Sequence, residues 1–196
     1  MRTIATFLAA AALAAGAPAA FACDGKADVE AAFTKQHQTP WRTETSGKSD
    51  TGIAQSQTFD YLPPDRMYRK VVSGDESVET IAVGKTAWTN VKGSWEEMKA
   101  ELAHVVTTHM QSAVAPAKVS VEFKCLDTVT YEGKSYLGYQ TVPETVEGKT
   151  LARTILLDPG TQRPAFNIIA APDLSGEALL KEIYSYPPDI KIESPL

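Results

Sequence analysis

The sequence predicts an α+β fold: a curved antiparallel sheet with helices packed on it. Three observations predict it. Short runs rich in β-branched and aromatic residues recur between residues 41 and 91, each closed by a turn signal. A stretch of helical periodicity then interrupts them over residues 96–114. Alternating strand texture resumes after it and runs almost to the C-terminus, the segregated order of an α+β layout.

Residues 27–35 read as a short helix, because Val29, Ala32 and Phe33 share one face at helical spacing. The runs 41–45, 52–61, 66–73, 77–83 and 86–91 read as the strands of a meander. Ser46-Gly47, Pro63-Pro64-Asp65, Gly74-Asp75, Gly84-Lys85 and Lys92-Gly93 supply its turns. Over 96–114, Met98, Leu102, Val105, Val106, His109, Met110 and Ala113 form one stripe, which predicts an amphipathic helix. Ser94 is its expected N-cap, with Glu97 completing a capping box. Val119, Val121, Phe123 and Cys125 alternate with polar residues, so this segment reads as a strand with Cys125 facing inward. Residues 135–141, 150–157 and 163–171 continue the sheet, with turns at Glu132-Gly133 and Asp158-Pro159-Gly160. Residues 179–186 read as a last strand or a short helix, ended by Pro187-Pro188, and Ile190 and Ile192 as an extended terminal piece. The expectation is roughly eight to ten strands with two or three helices.

The first twenty-two residues read as an export signal. Arg2 gives a positive start, and the apolar run from Ile4 to Ala15 is shorter than the ~20 residues a membrane crossing requires. Gly16 and Pro18 interrupt its end, and Ala20 and Ala22 occupy the positions that signal peptidase reads. The expected product is a single domain, 23–196, in the periplasm, with no membrane span. The two cysteines, Cys23 and Cys125, are expected to form a disulfide there, two free thiols being the other arrangement. Cys23 would also be the first mature residue, which raises lipid anchoring through its thiol. Phe21 is bulky where the lipoprotein pattern wants a small residue, so anchoring is the lesser expectation, and it excludes the disulfide. A net charge of −5 without clustered Lys and Arg speaks against a nucleic-acid partner. A monomer is expected.

No pattern of catalytic residues stands out. There is no Gly-x-Ser-x-Gly elbow, and His104 and His109 are five apart, which places them on different helix faces rather than together as zinc ligands. His109, on the apolar stripe, reads as a half-buried, hydrogen-bonded histidine. No glycine-rich loop joins a strand to a helix. The acidic residues Asp24, Asp28, Glu30, Glu96, Glu97 and Glu101 read as solvated helix faces, so no metal is expected.

The stretch from Tyr61 to Met98, YLPPDRMYRKVVSGDESVETIAVGKTAWTNVKGSWEEM, carries a resemblance. A Pro-Asp-Arg turn enters a strand, and a second strand bears Ile81 and Val83. A Gly-Lys turn follows, then Trp88 and the Gly-x-Trp at Gly93–Trp95. Together with the ending from Tyr184 to Pro195, this resembles the periplasmic lipoprotein-carrier superfamily, the LolA/LolB-like proteins. The resemblance implies an unclosed β-barrel, or half-barrel, covered by helices over an apolar cavity that takes up lipid or the acyl chains of lipoproteins. It brings no cofactor and no catalytic residues. Where those carriers have an Arg-Pro pair, this chain reads Leu62-Pro63-Pro64, which favours a general lipid or apolar-ligand binder over a lipoprotein shuttle. The expected cavity lining is Met67, Val71, Ile81, Trp88, Leu102, Val106 and Met110. An interaction module with a filled core, docking another envelope protein, is the alternative, and a small hydrolase a distant third.

Overall fold

Asp24 starts the first helix, α1 (Gly25–Gln36), by accepting the amide of Ala27 at 3.1 Å. Asp28 in its first turn and Lys35 in its last both complement the helix dipole. The computed structural model describes residues 23–48 and 52–196, so the expected export segment, 1–22, lies outside the described residues. Cys23, just before α1, is joined to Cys125, as expected, which leaves no thiol on Cys23 for a lipid. The helix passes close to the chain at Phe123. A Cβ on Gly25 would lie 2.1 Å from the Phe123 carbonyl oxygen, so only glycine fits there.

Six strands follow as a meander: β1 (Trp41–Lys48), β2 (Ala54–Leu62), β3 (Arg66–Ser73), β4 (Glu76–Val83), β5 (Thr86–Val91) and β6 (Ser94–Glu97). The last of these departs from the expected helix start. Lys92 and Gly93 both have positive φ, 56° and 90°, which makes a tight hairpin turn and pairs Val91 with Ser94 and Trp88 with Glu97. The predicted capping box is therefore strand. The second helix, α2 (Ala100–Val114), begins after Lys99 with no side-chain cap.

The remaining strands are β7 (Lys124–Tyr131), β8 (Lys134–Gln140), β9 (Glu144–Val146), β10 (Lys149–Leu157), β11 (Pro164–Ala170) and β12 (Leu180–Ser185). Residues 119–123, expected as strand, are not part of the sheet. They lie against α1, where Glu30 accepts the Val119 amide at 3.3 Å and Lys26 pairs with Glu122 at 3.2 Å. Val119 and Phe123 join a core with Val29, Ala32, Tyr139, Ile155 and Leu157. Packing on a helix has won over strand pairing for this apolar alternation.

All pairings are antiparallel, in the order β6-β5-β4-β3-β2-β1-β12-β11-β10-β8-β7, with β9 on β10. The last strand returns to sit between β1 and β11, welding the two halves of the chain. The path ends at β6 and β7, which do not pair, so the sheet is an unclosed barrel covered by helices, the α+β architecture expected.

The helices cover the two ends of one face. Under α2, Ala82, Ala87 and Ala103 bring sheet and helix together around Met67, Met110, Trp41 and Tyr61. The outer face carries its own cluster near β10 and β11, Leu156, Phe166 and Ile168 with Tyr136, and Leu174 and Ala178 pack on it from the following loop. On the outer side of β3, Arg66 donates to the Ile192 carbonyl at 2.7 Å, and Ile192 is buried. No helix among the described residues is long and apolar enough to cross a membrane.

Candidate functional site

Strand register decides which side chains face the helices. Met67 pairs with Ala82 and Ala82 with Ala87, while Ile81 pairs with Tyr68 and Trp88. The first set lies under α2, so by alternation the second lies on the opposite face. Carried across the sheet, the same register places Thr43, Phe59, Tyr61, Arg69, Glu182, Tyr184, Asn167 and Arg153 on the inner side, between α1 and α2.

The floor between the helices is aromatic. His37 stacks on Trp41 with centroids 5.1 Å apart, and Trp41 stacks on Tyr61 at 4.6 Å. Phe59 continues the row at 5.8 Å from Tyr61, and the Arg69 guanidinium lies over its ring at 5.4 Å. His109 of α2 meets this row, with Nε2 3.2 Å from the Tyr61 hydroxyl, so it is hydrogen-bonded as expected, although the residue as a whole is more exposed than expected. Burial, and secondarily Arg69, lowers its pKa. The His37 Nδ1–H donates to the Ala115 carbonyl at 2.6 Å, yet burial outweighs that bond and lowers this pKa too. Among the described residues neither imidazole is hydrogen-bonded to a carboxylate.

A polar chain crosses the same floor. Arg153 Nε donates to Asn167 Oδ1 at 2.9 Å, and Asn167 Nδ2 donates to Glu182 Oε2 at 2.5 Å. The Tyr184 hydroxyl donates to the same oxygen at 2.8 Å. Burial, then the Glu182 charge, raises the Tyr184 phenol well above its ordinary pKa. Burial likewise raises Tyr61.

Three cavities open around this floor. A pocket of about 200 Å³ sits between the helices over Trp41, Tyr61, Glu182 and Tyr184, with Gln36 in its wall. A larger groove of about 880 Å³ runs between α1 and residues 115–121, lined chiefly by Val29, Phe33, Ala113, Val119, Val121 and Phe123. It shares Phe33, His37 and Ala113 with the pocket. A third cavity, of about 480 Å³, lies beyond Arg153 and Val121 toward Leu151, Ile169 and Leu179.

None of the seven residues expected to line a cavity lines these three. Met67 and Met110 are fully buried in the filled core beneath α2, and Val106 packs against it. Ile81 and Trp88 face the other side of the sheet. Val71 shares the Met67 face, farther along the strand. Leu102 is 60% exposed on α2. The groove-lining residues that sequence reasoning missed include Phe33, Ala113 and Arg153. For Arg153 a signal existed, since it is a lone cation in the apolar run Leu151–Leu157, at the inward parity of Ile155.

No protein-family model matches the chain, and no curated protein matches it in sequence. Solved structures do. The MucA/MucB complex of Pseudomonas aeruginosa aligns with 10% identity and a TM-score of 0.46, over 84% of this chain and 56% of that one. A structure of MucB aligns with 11% identity and a TM-score of 0.43, over 86% and 62%. A domain from Vibrio parahaemolyticus, described as an outer membrane lipoprotein-sorting protein, aligns with 8% identity and a TM-score of 0.30, over 84% and 92%. This chain therefore spans less than two thirds of the MucB chains it matches.

Proposed function

We propose that the chain is an exported, non-catalytic binder of lipid or acyl chains, holding its ligand in the groove between α1 and residues 115–121. The observation that carries this is the groove itself. Its volume, about 880 Å³, falls in the ~300–1,000 Å³ range of small-molecule sites, and its walls are mostly apolar. Each CH₂ group buried there would contribute ~0.8 kcal/mol. Export rests on the leader-like residues 1–22, with which a disulfide accords, since such bonds persist in oxidising compartments.

Val121 is 42% exposed on the groove wall, so a larger side chain there fills space without disturbing the core. Titration of an environment-sensitive fluorescent fatty acid tests the proposal. Wild-type protein takes up the probe, and Val121→Trp weakens uptake at least tenfold with unchanged far-UV circular dichroism. Equal uptake by both proteins, or none by either, contradicts it.

One observation favours a second reading, an envelope protein that docks a partner. Leu102 and Val105 are 60% and 66% exposed on α2. Loss of a co-purifying partner in a Leu102→Glu, Val105→Glu variant that still takes up the probe would add this role to the first.

A further inference from the structure

Of the three cavities around the floor, the two larger share one basic side chain, Arg153. It lines both the 880 Å³ groove and the 480 Å³ cavity, and Val121 is the other residue they share. The surroundings are apolar: Leu151, Ile169 and Leu179 on one side, Val119 and Phe123 on the other. The guanidinium is held in place by its Nε bond to Asn167, which is itself anchored on Glu182. That bond uses one edge. Among the described residues the two Nη groups have no hydrogen-bond partner, and Arg153 forms no ion pair within 4.0 Å. An oriented, half-buried guanidinium that turns its two Nη groups into an apolar trough suits a planar anion carried on an apolar body.

We infer that Arg153 anchors the carboxylate of a single-chain fatty acid, with the acyl chain lying in the larger groove past Val119, Val121 and Phe123. This rests on the lipid-binding reading and narrows it to a ligand class. The charge balance at the junction favours a monoanion. Glu182, behind Asn167, already offsets part of the guanidinium charge, and Glu144, among the residues lining the smaller cavity, opposes a multiply charged phosphate head, while Glu122 there is paired with Lys26. Lys118 is the other cation in the groove, and it is exposed. Its flexible point charge does not offer the two-point fit of the Arg153 fork.

Oleic acid and methyl oleate, which differ only in the charge of the head, give the test. Each displaces the fluorescent probe from the full chain, from Arg153→Gln and from Lys118→Gln. The acid is expected to bind wild type about tenfold or more tightly than the ester, as a charge-assisted bidentate pair requires. Arg153→Gln brings the acid down to the level of the ester while ester binding stays unchanged, which shows the groove intact. Lys118→Gln keeps the preference. Equal binding of acid and ester by wild type, a preference that survives Arg153→Gln or disappears in Lys118→Gln, or an equal loss of both ligands in Arg153→Gln overturns the anchor and leaves the groove standing. Failure of both compounds to bind wild type overturns the lipid-binding reading itself.

Discussion

His37 and His109 sit at the two edges of the aromatic row, and burial lowers the pKa of both. Their sign is fixed by linkage. In the unfolded chain each takes up a proton near pH 6.5, whereas in the folded protein each does so only at lower pH. Stability is therefore full above pH 6.5 and falls as pH drops from there toward the folded values. Urea midpoints measured from pH 7.5 to 5 should show this decline, and His109→Gln should flatten it. A decline of equal slope in His109→Gln and wild type would remove His109 from the account. Gln36 makes a second case. It is 1% exposed, and its Nε2 has no hydrogen-bond partner. An unsatisfied buried amide costs about 1–3 kcal/mol, so Gln36→Leu should stabilise the fold by a figure of that order in urea denaturation.

Helix packing was legible in outline and misread in detail. The stripe on α2 was visible in the sequence, but the buried positions are Ala103, Thr107 and Met110, while Leu102 and Val105 point outward. Hydrophobicity marks which residues gain by burial. It does not mark where helix and sheet come closest, and small side chains occupy that line: Ala82, Ala87 and Ala103. The same cause put Ile81 and Trp88 on the wrong side, since a register that pairs Met67 with Ala82 turns their side chains outward. Ala87→Leu should consequently cost about 1–3 kcal/mol by overpacking, whereas Leu102→Ser should change stability by no more than about 0.5 kcal/mol. Thermal melts of the two variants check the contrast. For α1 the tether to Cys125 closes a loop spanning 102 residues, and removing it with Cys23→Ser, Cys125→Ser should cost about 2–5 kcal/mol.

At the scale of the whole molecule, local signals carried the strands well. The meander from β1 to β5 follows its turn residues, and β3 and β5 have the boundaries read from sequence. Long-range pairing was not readable. Nothing local to residues 180–185 says that they pair with β1 and β11, and that insertion joins the two halves of the sheet. The location of the groove depends equally on distant contacts. It exists because residues 115–121 lie along α1, and because 119–123 stay out of the sheet against an alternation that read as strand. The central claim is that this space holds an acyl chain. Native mass spectrometry of the protein, expressed with its first twenty-two residues and purified from the periplasm, tests that claim most directly. A bound mass that is lost on denaturation, recovered as a fatty acid or lipid on organic extraction, and absent from Val121→Trp is the predicted result. A clean unliganded mass that persists after incubation with oleic acid would contradict it.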